Sequence, residues 1–359
     1  MRLMRSFARF AAAVVICGFP FTAALAGEEQ LGFWPQFHGP KRDNISRETG
    51  LLRSWPEGGP RLLWTARGIG HGFATVSIAG GSIYTSGNIG DRSVITAMDG
   101  RGRIRWQVAN GQAWTGSQPG SRMTPTIDGD RLYHENPHGD LICLDARGGN
   151  RLWSVNILEA FGSRNIDWAL AESPLIDGDK VICCPGGPES AMAALDKRTG
   201  RVLWKSASAG DLAGYASPSL GECQGLRIVF TLTSRALIGV DADDGRLLFR
   251  FEHVTPFNEN ILMPIYHDGH VFISTRTTGS VLLRIRVEGR SASVEPVWRS
   301  TDLDNQHGGV ILLDGHLYGA SHVHSNASWL CLDWNTCLLY TSDAADDLLC
   351  VDLGGRRII

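Results

Sequence analysis

Six polar or aromatic side chains are the candidates for chemistry in this sequence. They lie in segments that differ from one another, although each segment precedes a similar apolar stretch, and they are Arg122, Trp168, Glu172, Tyr215, Asn260 and His307. A guanidinium, a carboxylate, an amide, an imidazole and aromatic rings can together bind a ligand by charge, hydrogen bonding and stacking. These residue types alone assign no catalytic role, so the catalytic residues are unknown and we interpret the six as lining a binding site.

Other chemistries lack the sequence patterns that they need. The chain has no phosphate-binding loop, no Ser-His-Asp order and no basic stripe for nucleic acid, and its formal net charge is −3. Histidines occur close together at His134 and His138, and again at His322 and His324, but neither pair has a third ligand placed beside it. We therefore predict no metal site and no nucleic-acid partner.

The elements that must position the six side chains are copies of one hairpin. In the clearest copy, apolar residues lead into Asp196, a turn with Gly200 follows, and Trp204 lies in a second stretch of strand-like composition. The same order recurs twice, and in all three copies an aromatic residue follows the Asp by eight positions. The residues that we predict to be structural in these copies are Asp145, Trp153, Asp196, Gly200, Trp204, Asp241, Gly245 and Phe249.

A second, shorter hairpin lies between successive copies. Its turn glycines are separated by 48, 49, 91 and 46 residues, the 91 spanning two repeats, and they are Gly81, Gly129, Gly178, Gly269 and Gly315. Two hairpins in about 45 to 50 residues make one four-stranded blade. The pattern predicts an all-β propeller of four-stranded blades with about six visible repeats, and places the six candidates at the funnel of its central axis. A solenoid is the structural alternative.

The stretch Ala194–Trp204 resembles the PQQ-like (pyrroloquinoline-quinone-type) propeller repeat, whose pattern is Ala-x-Asp-x-x-Thr-Gly-x-x-x-Trp. Trp34–Pro40 and Trp168–Pro174 further resemble an exported bacterial branch of quinone-binding-like propeller proteins. The resemblance covers roughly residues 33–336. Because propellers of this family have seven or eight blades, it implies that the visible repeats are truncated from a larger propeller and leave strand edges exposed.

The resemblance implies one of two functions. Quinoprotein alcohol or sugar dehydrogenases hold PQQ and usually Ca²⁺, and they need carboxylate and amide oxygens, a base, a cation and an aromatic platform. Glu172, Asn260, Arg122 and Trp168 are the residue types available for those roles. Other members are scaffolds without catalysis, such as the propeller of the outer-membrane β-barrel assembly machine. We expect a scaffold that binds an unknown small molecule or an envelope protein, with the PQQ-dependent dehydrogenase as the alternative.

Cysteine usage leaves a disulfide open. The dehydrogenases carry a vicinal disulfide against their cofactor, and Cys183 and Cys184 are adjacent in sequence. Here the pair lies at a predicted strand end within a blade, which is a different context, so we favour buried apolar packing for both thiols.

The two ends of the chain differ from the repeats. Residues 1–26 have the basic start, apolar run and small-residue end of a secretory signal peptide, which predicts a soluble periplasmic protein without a transmembrane span, expected to be monomeric. Residues 27–60 are rich in Pro, Gly and Trp and predict an irregular lead-in to a propeller at 61–336. Residues 337–359 resemble translated sequencing-adapter read-through, and the hairpin copy that begins at Asp333 is not completed, so we expect a non-native tail.

Overall fold

The computed structural model describes residues 31–322 and 328–341, and it folds them into six four-stranded antiparallel sheets. In every sheet the strands are adjacent in chain order, so each sheet is a simple meander. Within the described residues, one helix of four residues, α1 (Ile157–Ala160), interrupts this pattern. The predicted all-β propeller of four-stranded blades is confirmed, and the meanders are its blades 1 to 6 in chain order.

The strands of the first three blades are β1 (Ser77–Ala79), β2 (Ser82–Ile89), β3 (Arg92–Met98), β4 (Ile104–Gln112), β5 (Thr126–Asp128), β6 (Arg131–Glu135), β7 (Asp140–Asp145), β8 (Arg151–Asn156), β9 (Leu175–Asp177), β10 (Lys180–Cys183), β11 (Ala193–Asp196) and β12 (Val202–Lys205). Those of the last three are β13 (Ser219–Cys223), β14 (Leu226–Leu232), β15 (Ala236–Asp241), β16 (Leu247–Glu252), β17 (Ile265–His267), β18 (His270–Thr275), β19 (Gly279–Glu288), β20 (Ser291–Ser300), β21 (Val310–Leu313), β22 (His316–Ala320), β23 (Trp329–Asp333) and β24 (Leu339–Thr341).

The short hairpins form where Asp-Gly or Gly-Gly separates the first two strands of a blade. In blade 5, His267 pairs with His270, so the loop contains only Asp268 and Gly269. Both loop residues have positive φ, 43° and 71°, as a type I′ turn requires. This turn chemistry fixes the register of the hairpin, and with it the face that each strand side chain occupies.

The aromatic residue of each repeat joins its blade to the next one. The Trp153 ring lies so close to Gly200 of blade 3 that a Cβ on that glycine would be 2.9 Å from it, and the Trp153 indole N–H donates to Lys197 O at 3.1 Å. The Trp204 ring packs on Gly245 of blade 4 in the same way. The repeated Asp, Gly and aromatic residues are therefore used in turns and in packing between blades.

Lead-in residues continue this pattern on blade 1. The Trp64 ring lies 2.6 Å from the position of a Cβ on Gly102, the same contact that Trp153 makes with Gly200. Leu62 and Leu63 before it lie outside the named strands and are 77% and 61% exposed. The segment thus places a tryptophan on blade 1 as β8 and β12 place one on blades 3 and 4.

Hydroxyl groups link the first strands of four blades side by side. The Thr75 N–H donates to Thr124 Oγ1 at 3.2 Å, the Thr124 N–H to Ser173 Oγ at 3.0 Å, and the Ser173 N–H to Ser217 Oγ at 2.8 Å. Each bond satisfies a backbone donor at the start of a first strand, where no strand partner is available. This hydroxyl chain connects blades 1 to 4 around the axis.

The lead-in also crosses the first strands of three blades. Trp34 pairs with Ile78 of blade 1, and Pro35 O accepts from the Ile127 N–H of blade 2 at 2.7 Å. The buried Arg42 guanidinium donates to Ser173 O at 2.9 Å beside blade 3. The sequence predicts packing on the first repeat, and the contacts extend to the second and third.

The fourth strand of blade 6, β24, lies within residues 337–359, which the sequence predicts to be a non-native tail. Leu339 pairs with Leu332, and Thr341 pairs with Cys331. Backbone pairing requires only an extended segment, so it does not bear on the origin of this stretch. The predicted signal peptide at 1–26 lies outside the described residues.

Candidate functional site

Loops that precede the first strand of each of the six blades bring polar and aromatic side chains together. We call this set the funnel cluster, and its members, one from each blade in order, are Phe73, Arg122, Trp168, Tyr215, Glu259 and His307. Four of the six were predicted from sequence. The other two lie in loops that the sequence marks as variable, but nothing in their type or spacing distinguishes them from their neighbours.

Arg122 provides a cation without an acidic partner. Its guanidinium lies 5.8 Å from the centre of the Phe73 ring and donates to Gln118 O at 2.5 Å and Gly120 O at 3.2 Å. Burial lowers the pKa of Arg122, and the nearby Tyr215 raises it. Within residues 31–322 and 328–341 no carboxylate forms an ion pair with it, so its charge is available to a ligand.

Trp168 and Tyr215 form the aromatic side of the cluster. Their ring centres are 5.9 Å apart and the ring planes meet at 56°. The backbone N–H of Trp168 donates a hydrogen bond to Tyr215 Oη at 3.4 Å. Burial raises the pKa of Tyr215 to about 12. The phenol is therefore protonated at neutral pH and can donate a hydrogen bond.

Glu259 provides the anionic side, and it is already paired. Its Oε2 accepts from Gln306 Nε2 at 3.1 Å and lies 3.9 Å from Arg276 Nη1. Burial lowers the pKa of His307 below its usual value; Glu259 raises it, whereas His322, Arg276 and Arg122 lower it further. His307 is thus mainly neutral at pH 7. The charges of Glu259, Arg276 and Arg122 all act on it, which places these groups near the imidazole.

Two predicted residues, Glu172 and Asn260, lie in the interior and not in the funnel cluster. Glu172 is 2% exposed, and its Oε1 accepts the Cys184 N–H at 2.6 Å. Asn260 is fully buried and its Nδ2 donates to Thr233 O at 2.9 Å and His253 O at 3.0 Å. Both side chains hold the backbone of neighbouring segments.

Glu172 also faces Glu135, and the two form a buried acid pair. Neither oxygen of Glu135 and only one oxygen of Glu172 has a hydrogen-bond donor among the described residues. Burial, and then the Glu172 charge, raise the pKa of Glu135 well above its usual value, and burial also raises that of Glu172. The carboxyls can satisfy each other only when they share a proton.

The residues present do not fit a calcium–quinone site. Such a site needs ionised carboxylate and amide oxygens that converge on one cation, whereas Glu172 is buried against Glu135 and burial raises its pKa, and Asn260 is fully buried in the interior. Cys183 and Cys184 are free, buried thiols, and burial raises the pKa of both. Arg122 and Trp168 therefore lie in the funnel without the cation ligands that the resemblance implies.

The histidine pairs do not form a metal centre where the structure describes them. No group of three His, Cys, Asp or Glu side chains suited to a metal occurs within the described ranges. His134 is buried with its Nδ1 3.0 Å from Asn110 Nδ2, and burial lowers its pKa to about 3. Of the second pair, His324 lies outside the described residues.

Known proteins with similar sequences include an outer membrane protein assembly factor and a quinone-dependent dehydrogenase. A family model described as outer membrane protein assembly factor BamB matches residues 50–187 and 91–336. A quinone-dependent 1-butanol dehydrogenase of Thauera butanivorans is 30% identical over 98 residues, which is 27% of this chain and 15% of that protein. BamB of Shewanella oneidensis is 23% identical over 190 residues, 50% of this chain and 45% of that protein.

Among solved structures, the quinohemoprotein alcohol dehydrogenase of Comamonas testosteroni aligns with a TM-score of 0.51 at 15% identity, covering 80% of this chain and 57% of that one. At this identity the likeness concerns the fold alone. The chain spans less than half of the length of the two curated relatives. Within the described residues, no helix has the length and apolar character needed to cross a bilayer.

Proposed function

Because the chain belongs to the family described as outer membrane protein assembly factor BamB, a propeller-repeat family as the sequence predicted, we propose that it is an exported binding scaffold. Its site is the funnel cluster, and its partner is a protein of the bacterial envelope. The observation that carries this proposal is the convergence of six chemically different side chains, one from each blade, at the start of the first strands.

The repeated and the non-repeated residues of this chain have different roles, which supports the proposal. The residues that repeat are used within the fold: Asp196 accepts the N–H groups of Arg198 at 3.0 Å and Thr199 at 2.8 Å, and Trp153 joins two blades. The loops that do not repeat carry the funnel cluster. A scaffold built in this way can vary its binding site without changing its core.

The dehydrogenase alternative requires a rearrangement of buried groups. The oxygens of these side chains that accept no hydrogen bond from a described residue, Glu172 Oε2 and Asn260 Oδ1, are both buried. A cation would reach them only if the residues packed around them moved apart. Full-length protein incubated with PQQ and Ca²⁺ should therefore show no quinone absorbance and no dye reduction.

The scaffold proposal is tested by affinity purification from envelope fractions. The tagged wild-type chain should retain one envelope protein that is lost with the double variant Arg122→Gln, Tyr215→Phe. Arg201→Gln, an exposed arginine of the blade 3 turn, serves as the matched control and should retain it. The proposal is wrong if the double variant, shown to be folded by circular dichroism, retains the same protein as the control.

A further inference from the structure

Arg122 is a cation of the funnel cluster that has no ion-pair partner among the described residues. Glu259 forms an ion pair with Arg276 at 3.9 Å and accepts a hydrogen bond from Gln306, whereas Arg122 has no carboxylate partner among the described residues. Burial and then the Asp167 charge raise the pKa of Tyr215, which places Asp167 on the tyrosine side of the cluster. A half-buried guanidinium attracts an anion more strongly than an exposed one, because less water screens its charge.

The guanidinium is held in a fixed orientation with donor capacity to spare. The carbonyls of Gln118 and Gly120 take its two terminal nitrogens, and the Phe73 ring lies under its plane. No described residue accepts a hydrogen bond from Arg122 Nε. Together with the protonated Tyr215 hydroxyl, this leaves two donors for a carboxylate, the anion whose planar geometry a guanidinium matches.

Aromatic surface lies beside these donors. The Trp168 and Tyr215 rings meet at an angle of 56°, so they form a corner and not a closed stack. A third ring can pack into such a corner edge to face or in an offset stack. The cluster thus combines a carboxylate site and an aromatic site in adjacent positions.

Resting on the proposed function, and deepening it, we infer that the funnel cluster binds a peptide segment that presents an aromatic ring next to a carboxylate. The carboxylate contacts Arg122 and the Tyr215 hydroxyl, and the ring packs against Trp168. Arg276 faces Glu259, so Arg122 is the cation of the cluster that is left to contact a ligand carboxylate.

Two probes that differ only in charge test this inference on the full chain. N-acetyl-tryptophan carries a carboxylate, and N-acetyl-tryptophanamide has a neutral amide in its place. Ligand-observed NMR titrations at pH 7 should show that the acid binds wild-type protein at least about tenfold more tightly than the amide, as expected for a charge-assisted contact.

Variants separate the two parts of the site. Arg122→Gln should abolish the difference between acid and amide, while Arg122→Lys, which keeps the charge but loses the planar fork, should retain part of it. Trp168→Ala should weaken both probes by the same factor, and Arg201→Gln should change neither. Unfolding midpoints of all variants establish that they are folded.

Each alternative result overturns the inference. Equal binding of acid and amide, a difference that persists in Arg122→Gln, or no binding of either probe would each exclude the carboxylate-and-ring ligand. The proposed function has a separate readout. If the probes fail but the envelope protein is still lost with the Arg122→Gln, Tyr215→Phe variant, the scaffold stands and its ligand has a different chemistry.

Discussion

Replacing Glu135 by glutamine should stabilise the protein at neutral pH and change how its stability depends on pH. Glu135 is fully buried and Glu172 is 2% exposed, and burial raises the pKa of both carboxyls in the folded state. The folded protein therefore keeps a proton on the pair that the unfolded chain releases near pH 4.5. Wherever the folded state binds more protons, the free energy of unfolding falls as the pH rises.

The magnitude follows from proton linkage. Well below pH 4.5 the pair is protonated in both states and its cost does not depend on pH. At higher pH, the retained proton lowers the free energy of unfolding by about 1.4 kcal/mol per pH unit, up to the folded pKa. The cost therefore grows with every pH unit over which the folded state keeps a proton that the unfolded chain has released. The glutamine amide introduced at this position does not titrate and can donate to Glu172, so it removes this cost for one carboxyl.

Urea unfolding of wild-type protein and of Glu135→Gln, followed by tryptophan fluorescence at pH 5, 6, 7 and 8, measures the effect. The variant should gain stability relative to wild type from pH 5 to pH 7. Glu57→Gln, an exposed glutamate of the lead-in, is the control and should leave the pH dependence unchanged. A Glu135→Gln variant that is destabilised equally at every pH would refute proton sharing by the pair.

Three further changes test the contacts between blades. Trp153→Phe keeps a ring on Gly200 but loses the indole bond to Lys197 O at 3.1 Å, so thermal unfolding should show a loss of about 1 kcal/mol. Gly200→Ala should lower the free energy of unfolding clearly more than Gly129→Ala. Both glycines have positive φ, but a Cβ added at Gly200 would lie 2.9 Å from the Trp153 ring, whereas one added at Gly129 has no atom within 4 Å. Thr124→Val should lower the free energy of unfolding in urea by about 0.5 to 1.5 kcal/mol, because the partly buried Thr75 N–H loses its acceptor. Equal stability of any of these variants and wild type would contradict the contact that the variant tests.

Most of the fold could be predicted because its turns have a sequence signature. Few residue pairs adopt positive φ at both positions, as Asp268 and Gly269 do. An Asp-Gly pair in the sequence therefore indicates a two-residue hairpin turn and the register of the two strands that it joins. The outer hairpin of blade 5 lacks this signature, and the sequence therefore does not predict it. Its strands are ten residues each, and its turn instead brings Arg290 to Asp244 at 2.7 Å and Asp241 at 3.2 Å in blade 4.

The site could be predicted only to the level of its loops. Strand periodicity tells which side chains share a face, but it does not hold across a residue in the left-handed region. Asn258 has φ 58° and directly precedes Glu259, and Ala169 has φ 64° and directly follows Trp168. The loop that contains Asn260 therefore presents its neighbour Glu259 to the cluster, which spacing alone does not reveal.

The same geometry separates the two functions that the family resemblance implies. A quinone site and a binding scaffold can have the same blades, since the repeated Asp and Trp residues serve turns and interfaces in either case. What differs is the direction of a few loop side chains. In this chain Glu172 points to the interior, where it meets Glu135, and Arg122 is left in the funnel with its charge unpaired among the described residues. Under the proposed function, loop conformation, and not the repeat that identifies the family, therefore determines what the funnel cluster binds.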